Sequence, residues 1–180
     1  MGKDNWRTIF YYGKAGYIWK GTMAMATARD MYIADKGRLI VTVLGLINVV
    51  DGQGKTFNEG ECQRWLAESV WFPTNLLPSE RLQWSAIDTN TAKLIFNYKE
   101  LSIPFLVTFN GTGEISQMET KRFMDKEHKE IWIGKMNDYK DVHGILIPTS
   151  IEAMWRLHKG DFRYAKFNIT KVEYIKPEGF

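Results

Sequence analysis

Hydrophobic and polar residues alternate along most of the second half of the chain. Leu94, Phe96 and Tyr98 recur at every second position within residues 93–100, and residues 103–109 repeat the pattern. A period of two is typical of a half-buried β-strand. The pattern predicts a meander of about seven antiparallel strands. These strands are expected at roughly 81–87, 91–99, 102–110, 113–124, 129–139, 144–157 and 163–175.

The turns between these segments are equally regular. The stretch NGTGE at 110–114 is the clearest, because Asn110 and Gly111 supply the positive φ angles of a tight hairpin turn. The apolar positions change phase between Phe162 and Phe167, which predicts a β-bulge in the last strand. Residues 16–35 and 38–50 have the composition of another two or three strands.

One segment, at about 58–72, has the periodicity of an amphipathic helix. Asn58 is a candidate N-cap with Glu61 three residues later, as in a capping box, and Pro73 is expected to end the helix. The apolar face consists of Cys62, Trp65, Leu66, Ser69 and Val70. Trp71 lies nearly opposite that face on a helical wheel, so an exposed Trp71 would indicate a contact surface.

Together these elements predict a mainly β (α+β) fold. Strands longer than five or six residues must twist and bend. We therefore expect a highly curved antiparallel meander or unclosed barrel of about nine or ten strands, with the single helix packed across it. No linker or internal repeat divides the chain, so we expect one domain over residues 1–180, with an irregular lead-in at 1–15.

Composition excludes several classes of function. The net charge is +3, and Lys and Arg are interleaved with Asp and Glu, so a nucleic-acid partner is not expected. Cys62 is the only cysteine, which rules out an internal disulfide. The longest apolar run, residues 39–50, is too short to cross a bilayer as a helix, so no transmembrane segment is predicted.

No motif predicts a metal, a cofactor or a catalytic nucleophile. His128, His143 and His158 are far apart in sequence and have no H-E-x-x-H spacing. Glu68 and Glu152 lie among apolar neighbours, where a raised pKa would suit a general acid. The alternative that we favour is a salt bridge or hydrogen bond that fixes the helix to the sheet.

The aromatic content, 14% with 7 Trp, is the unusual feature of the composition. One interpretation is a well-filled core. The other is that a curved sheet with a single helix leaves an apolar cavity for a lipid, an acyl chain or a similar ligand. The candidate ligand-binding residues are Trp65, Leu66, Glu68, Phe72, Trp84, Phe105, Trp132, Glu152 and Trp155.

Several motifs resemble a family of functionally uncharacterised bacterial and archaeal proteins. The most specific is the helix segment RWLAESVWFPTNLLP, residues 64–78, which fits the pattern R-x-L-A-E-x-x-W-x-P-x-x-L-L-P. An Arg29-Asp30 pair before a glycine turn, a Leu-Gly-Leu segment and an Ile-Pro…Glu-x-x-Trp strand at 147–155 accompany it. The resemblance covers most of the chain from about residue 17 onward.

The resemblance transfers no activity. It implies that further residues precede this region in family members, so one expectation is the C-terminal part of a longer, membrane-attached or extracytoplasmic protein. The predicted architecture also resembles the unclosed barrel of bacterial lipoprotein carriers, although that likeness concerns the fold alone.

Three functions stay open on the sequence. The first, which we favour, is non-catalytic binding of a hydrophobic ligand, lipid or acylated peptide in the concave face of the sheet. The second is a hydrolase that uses Glu68 and Glu152 as an acid/base pair, which requires the two carboxyls to be roughly 5–10 Å apart. The third is a structural or assembly module. The sequence leaves the oligomeric state open.

Overall fold

The fold was analysed in a computed structural model that describes residues 5–10, 17–23, 26–34 and 36–174. The side chains of residues 5–10, 19 and 23 lie outside that description. The predicted class is confirmed: within the described residues the protein is mainly β, with two antiparallel sheets, one α-helix and no closed barrel. The described part of the chain contains twelve strands, of which β1 falls within the lead-in expected at 1–15.

The first sheet has five strands, each hydrogen-bonded to its neighbours in chain order. They are β1 (Asn5–Phe10), β2 (Tyr17–Met23), β3 (Ala26–Ile33), β4 (Lys36–Val43) and β5 (Ile47–Gln53). The turn between β4 and β5 contains Leu44 and Gly45, both in the left-handed region, at φ 55° and 69°. Two consecutive positive φ angles match the twist of a tight hairpin. β5 is an edge strand of this sheet.

The second sheet is a meander of seven strands, as the alternating pattern predicted. They are β6 (Leu82–Ala86), β7 (Thr91–Tyr98), β8 (Leu101–Phe109), β9 (Ile115–Phe123), β10 (Lys129–Val142), β11 (Ile145–Leu157) and β12 (Gly160–Asn168). The bulge predicted near Phe162 is confirmed, because the β11–β12 register shifts between Ala153 and Met154. The 110–114 turn forms the expected hairpin, but Gly113 rather than Gly111 takes the positive φ.

The helix, α1, runs from Lys55 to Glu68, so both predicted ends were wrong. Asn58 lies inside the helix and does not cap it; its Oδ1 accepts a hydrogen bond from the Gly37 amide at 2.8 Å. A tertiary partner therefore replaces the local one that the capping box requires. After Glu68 the chain tightens into two 3-10 turns, Ser69–Trp71 and Pro73–Leu76.

The predicted apolar face of the helix is buried throughout, which confirms that part of the pattern. Trp71 is also buried, at 5% exposure, so it gives no indication of a contact surface. The helical wheel fails there because the α-helix has already ended, and a 3-10 turn winds three residues per turn instead of 3.6.

The chain forms two compact units. The first comprises residues 1–82 with 96–103 and 122–129, and the second comprises 83–95, 104–121 and 130–180. Whether they behave as the single domain predicted from the sequence stays a prediction.

In the first unit, α1 packs against β3, β4 and β5. The approach is close at Gly37, where a Cβ would lie 2.3 Å from the carbonyl oxygen of Phe57, and at Gly52, which the Phe57 ring covers. Glycine at these two positions lets the helix rest directly on the sheet. The second unit buries Phe105, Met118 and Ile133 between its strands, in line with their alternating positions.

Candidate functional site

Six titratable side chains in the first unit influence one another beneath α1. All six are buried or partly buried, and they lie close enough to interact electrostatically. This buried charge cluster consists of Tyr17, Asp30, Glu61, Arg64, Glu68 and Arg122. Three come from the helix and the others from β2, β3 and β9, so the cluster joins α1 to several strands.

Arg64 lies at the centre of this cluster. Its Nε donates to Glu68 Oε1 at 2.7 Å along the helix, and its Nη1 donates to Asp30 Oδ2 on β3. The guanidinium also lies over the Tyr17 ring, 5.6 Å from the centroid. An arginine suits this position because its planar guanidinium presents several donors and stacks on aromatic rings. The helix-to-sheet ion pair is therefore made by Arg64, with Glu68 as its second partner.

Glu61 forms the other link between helix and sheet. The Tyr17 hydroxyl on β2 donates a hydrogen bond to Glu61 Oε2, and both side chains are almost fully buried. Burial raises the pKa of Glu61 to about 7, and the negative charge of Asp30 adds to this effect. The two guanidiniums and the Tyr17 hydrogen bond act in the opposite direction but do not cancel it.

A charge count explains why one proton stays on this cluster. It contains three carboxyls and two guanidiniums, so full ionisation leaves one uncompensated negative charge in a poorly solvated region. Asp30 Oδ1 and Glu68 Oε2 are buried and accept no hydrogen bond from the described residues, so no donor there stabilises a charge on either oxygen. Burial raises the pKa of both these carboxyls as well.

A second feature of the first unit is an apolar hairpin tip, residues Val43–Val50, where β4 turns into β5. Leu44 and Leu46 are 61% and 85% exposed, and Ile47 and Val49 are 61% and 57% exposed. No residue of this segment carries a charge. An exposed apolar cluster of this kind marks a contact site more often than a single exposed side chain does.

The polar groups around the apolar hairpin tip are satisfied within the hairpin. The Leu46 amide donates to the Val43 carbonyl at 3.1 Å, and Thr42 Oγ1 donates to Asn48 Oδ1 at 2.8 Å. The first charged residues behind the tip, Arg38 and Asp51, form a bidentate pair at 2.8 and 2.7 Å. The polar groups of the hairpin are therefore paired within it, and the exposed side chains at its tip are apolar.

Four of the predicted ligand-binding residues lie in the first unit: Trp65, Leu66, Glu68 and Phe72. Leu66 is fully buried, Trp65 is 6% exposed and Phe72 is half-buried. The Trp65 ring packs against Phe96 at 5.4 Å between centroids. Its Nε1 is buried and has no hydrogen-bond partner among the residues that the structure describes. Trp65 and Leu66 are thus packing residues in this conformation.

The other five lie in the second unit: Trp84, Phe105, Trp132, Glu152 and Trp155. Trp132 and Trp155 face each other across β10 and β11. Tyr164 joins them, since it accepts a hydrogen bond from Trp132 Nε1 at 2.8 Å and stacks on Trp155. Phe105 is buried at 1% exposure, and Trp84 contacts Phe109. That these nine residues form one ligand-binding site stays a prediction.

Both carboxylates considered for acid/base chemistry have an arginine partner in their own unit. Glu68 accepts from Arg64, and Glu152 accepts from Arg163 at 2.9 Å and lies 3.3 Å from Lys166. Slight desolvation of Glu152 is outweighed by these cations, which hold its pKa below the ordinary value. An ionised, paired Glu152 is not a poised general acid.

The described part of the chain contains neither a metal site nor a membrane-spanning helix. No group of three His, Cys, Asp or Glu side chains there could hold a metal ion. No helix there is long and apolar enough to cross a membrane.

These features define a mainly β protein with a buried charge cluster under its helix and an apolar hairpin tip at a sheet edge. The chain belongs to a family of unknown function, DUF6920, whose pattern matches residues 5–174. No curated protein and no solved structure matches the chain. Membership in a family of unknown function is thus confirmed, and the likeness to lipoprotein carriers stays a prediction.

Proposed function

We propose that this protein is a non-catalytic module that binds lipid through the apolar hairpin tip. The observation that carries the proposal is the exposure of four large aliphatic side chains on one uncharged turn. The hypothesis from the sequence placed a hydrophobic ligand in the concave face of the sheet. The present proposal keeps a lipid as the ligand but places the contact at the apolar hairpin tip instead. An acylated peptide is the alternative ligand.

The shape of the tip favours a lipid surface over a protein groove. Residues 47–51 of β5 are exposed on both faces of the strand, so apolar side chains point in more than one direction. Lipid tails can surround a projecting hairpin from all sides, whereas a flat protein surface covers one face only. β5 is an edge strand whose outer backbone groups need hydrogen-bond partners, which favours insertion into the headgroup region over the hydrocarbon core.

Vesicle flotation of the full chain tests the proposal. Wild type is expected to float with phosphatidylcholine vesicles. The double variant Leu44→Asn/Leu46→Asn is expected to bind roughly 700-fold more weakly, since burial of each leucine side chain contributes about 2 kcal/mol. Asparagine tolerates the left-handed conformation at position 44, so the turn is retained. Leu146→Asn, at another exposed leucine, is the matched control.

Two results would overturn the proposal. Wild type that stays with the soluble fraction, both with phosphatidylcholine vesicles and with vesicles that also contain phosphatidylglycerol, would exclude lipid-surface binding. Equal flotation of wild type and the double variant would show that the apolar hairpin tip is not the contact. Capture of an acylated peptide without vesicle binding would favour the alternative ligand.

A further inference from the structure

The strand register of the first sheet aligns the ends of four strands in one row. Met23 pairs with Ala26, Ala26 with Val43, and Val43 with Ile47, so these four positions form one row across β2 to β5. The ends of β2 to β5 at these positions therefore lie side by side in the sheet. The stretches 21–28 and 39–50 that lead into them contain no charged residue.

A second row, three residues behind the first, contains basic residues. Arg7 pairs with Lys20, Lys20 with Arg29, and Arg29 with Ile40. The row ends on β5 at Asp51, whose carboxylate has its own arginine partner, Arg38. Three steps along a strand correspond to about 10 Å, because each residue advances the chain by about 3.3 Å. That distance equals the depth to which interfacial segments enter the boundary between headgroups and acyl chains, about 5–10 Å.

Lys20 and Arg29 are unusual neighbours. Both are exposed, they face each other directly across β2 and β3, and neither has an ion pair with any described residue. Like charges directly opposite each other destabilise a sheet. Folding does not favour this arrangement, whereas an anion placed against both side chains would be bound by two cations at once.

We infer that this end of the first sheet binds the surface of an anionic phospholipid bilayer, with the apolar rows at the acyl-chain boundary and Lys20 and Arg29 at the lipid phosphates. The inference rests on the proposed lipid-binding function. The order of chemistry along the strands, uncharged strand ends first and cations about 10 Å behind them, matches the order of chemistry across a leaflet.

Titration of the full chain with two kinds of vesicle tests this inference. Phosphatidylcholine vesicles that contain phosphatidylglycerol are expected to bind wild type roughly 30-fold more tightly than pure phosphatidylcholine, at about fivefold for each of two cations. High salt should abolish most of that preference. Lys20→Gln/Arg29→Gln should lose the preference and keep the affinity for pure phosphatidylcholine.

The matched control is Lys93→Gln/Lys159→Gln, which removes the same net charge from exposed positions of the second unit. It should retain the preference for anionic vesicles. If this control loses the preference as much as Lys20→Gln/Arg29→Gln does, overall charge and not the basic row is responsible, and the inference is wrong.

The remaining outcomes separate the two proposals. Equal, hairpin-dependent binding to both kinds of vesicle overturns the inference and leaves lipid binding intact. Binding to neither kind overturns the proposed function itself. If Leu44→Asn/Leu46→Asn binds anionic vesicles as tightly as wild type, the apolar row does not contact the acyl-chain boundary, and the inference is again wrong. If inorganic phosphate at millimolar concentration displaces wild type from anionic vesicles far more than chloride at equal ionic strength does, the cations serve a free anion, and the inference is wrong as well.

Discussion

The substitution Glu61→Gln tests whether the buried charge cluster holds a proton. Glutamine has nearly the shape of the carboxyl group, keeps an oxygen that can accept the Tyr17 hydrogen bond, and cannot ionise. It therefore imitates the protonated form of Glu61 at every pH. In wild type, burial and the charge of Asp30 raise the pKa of Glu61, and so ionisation above neutral pH costs stability.

The magnitude follows from the two pKa values of Glu61. The ordinary value is 4.5 and the value in the folded protein is about 7. Because the folded pKa is the higher one, the stabilisation is fully present below pH 4.5 and is lost as the pH rises through about 7. The whole effect is about 3 kcal/mol, of which about 2.5 kcal/mol is lost between pH 5 and pH 8.

Equilibrium unfolding in urea at pH 5 and pH 8, followed by circular dichroism and tryptophan fluorescence, measures the effect. The stability of Glu61→Gln relative to wild type should increase by about 2.5 kcal/mol from pH 5 to pH 8. Comparison with wild type at each pH cancels the titration of the groups that do not interact with Glu61. Glu59→Gln, on the same helix, removes a carboxylate paired with Lys129 near the surface and should change the stability little at either pH.

A pH-independent difference between Glu61→Gln and wild type would show that Glu61 does not retain a proton in the folded state. A variant less stable than wild type at pH 8 would show that an ionised Glu61 is needed, as a partner for Arg122 or Arg64. Either result would refute the charge count.

Two further substitutions, Arg64→Ala and Gly37→Ala, test the contacts between the helix and the sheet in the same unfolding assay, and each has a matched control. Arg64→Ala should cost about 3–5 kcal/mol because it leaves two buried carboxylates without their cation, whereas Arg163→Ala at the surface should cost less than about 1 kcal/mol. Similar losses in both would contradict a central role for Arg64. Gly37→Ala should cost about 2 kcal/mol or more, since its Cβ would meet the Phe57 carbonyl. Gly111→Ala, which has open space, should cost less than about 1 kcal/mol, and equal losses would refute the close helix contact.

The strands were predictable because burial on one face imposes a period of two on the sequence. All seven strands of the second sheet and the bulge in β12 follow from that pattern. The helix ends were not predictable, because Asn58 has the chemistry of a cap and the tertiary hydrogen bond from Gly37 overrides it. A local capping motif does not fix the end of a helix when tertiary packing against a sheet provides its side chain with another partner.

The candidate site was only partly predictable. The sequence predicted a structural role for Glu68, but its partner, Arg64, lies on the same helix and not on the sheet. Glu61 was interpreted as part of a helix cap, whereas it accepts a hydrogen bond from Tyr17 within the buried charge cluster. The partners on β2 and β3, Tyr17 and Asp30, depend on strand register, which a single sequence does not fix. The apolar run 39–50 predicted strands correctly, while its exposure follows from the edge position of β5.

The leucines of the apolar hairpin tip are difficult to explain by folding alone. Leu44 has a φ of 55°, a conformation that costs an ordinary side chain roughly 1–2 kcal/mol and that asparagine or glycine adopts more readily. Leu46 is 85% exposed and gains almost nothing from burial within the chain. A turn under selection for stability alone would carry Asn-Gly here. Leu44→Asn should therefore preserve or raise the stability while it weakens vesicle binding, and that combination distinguishes a contact residue from a core residue.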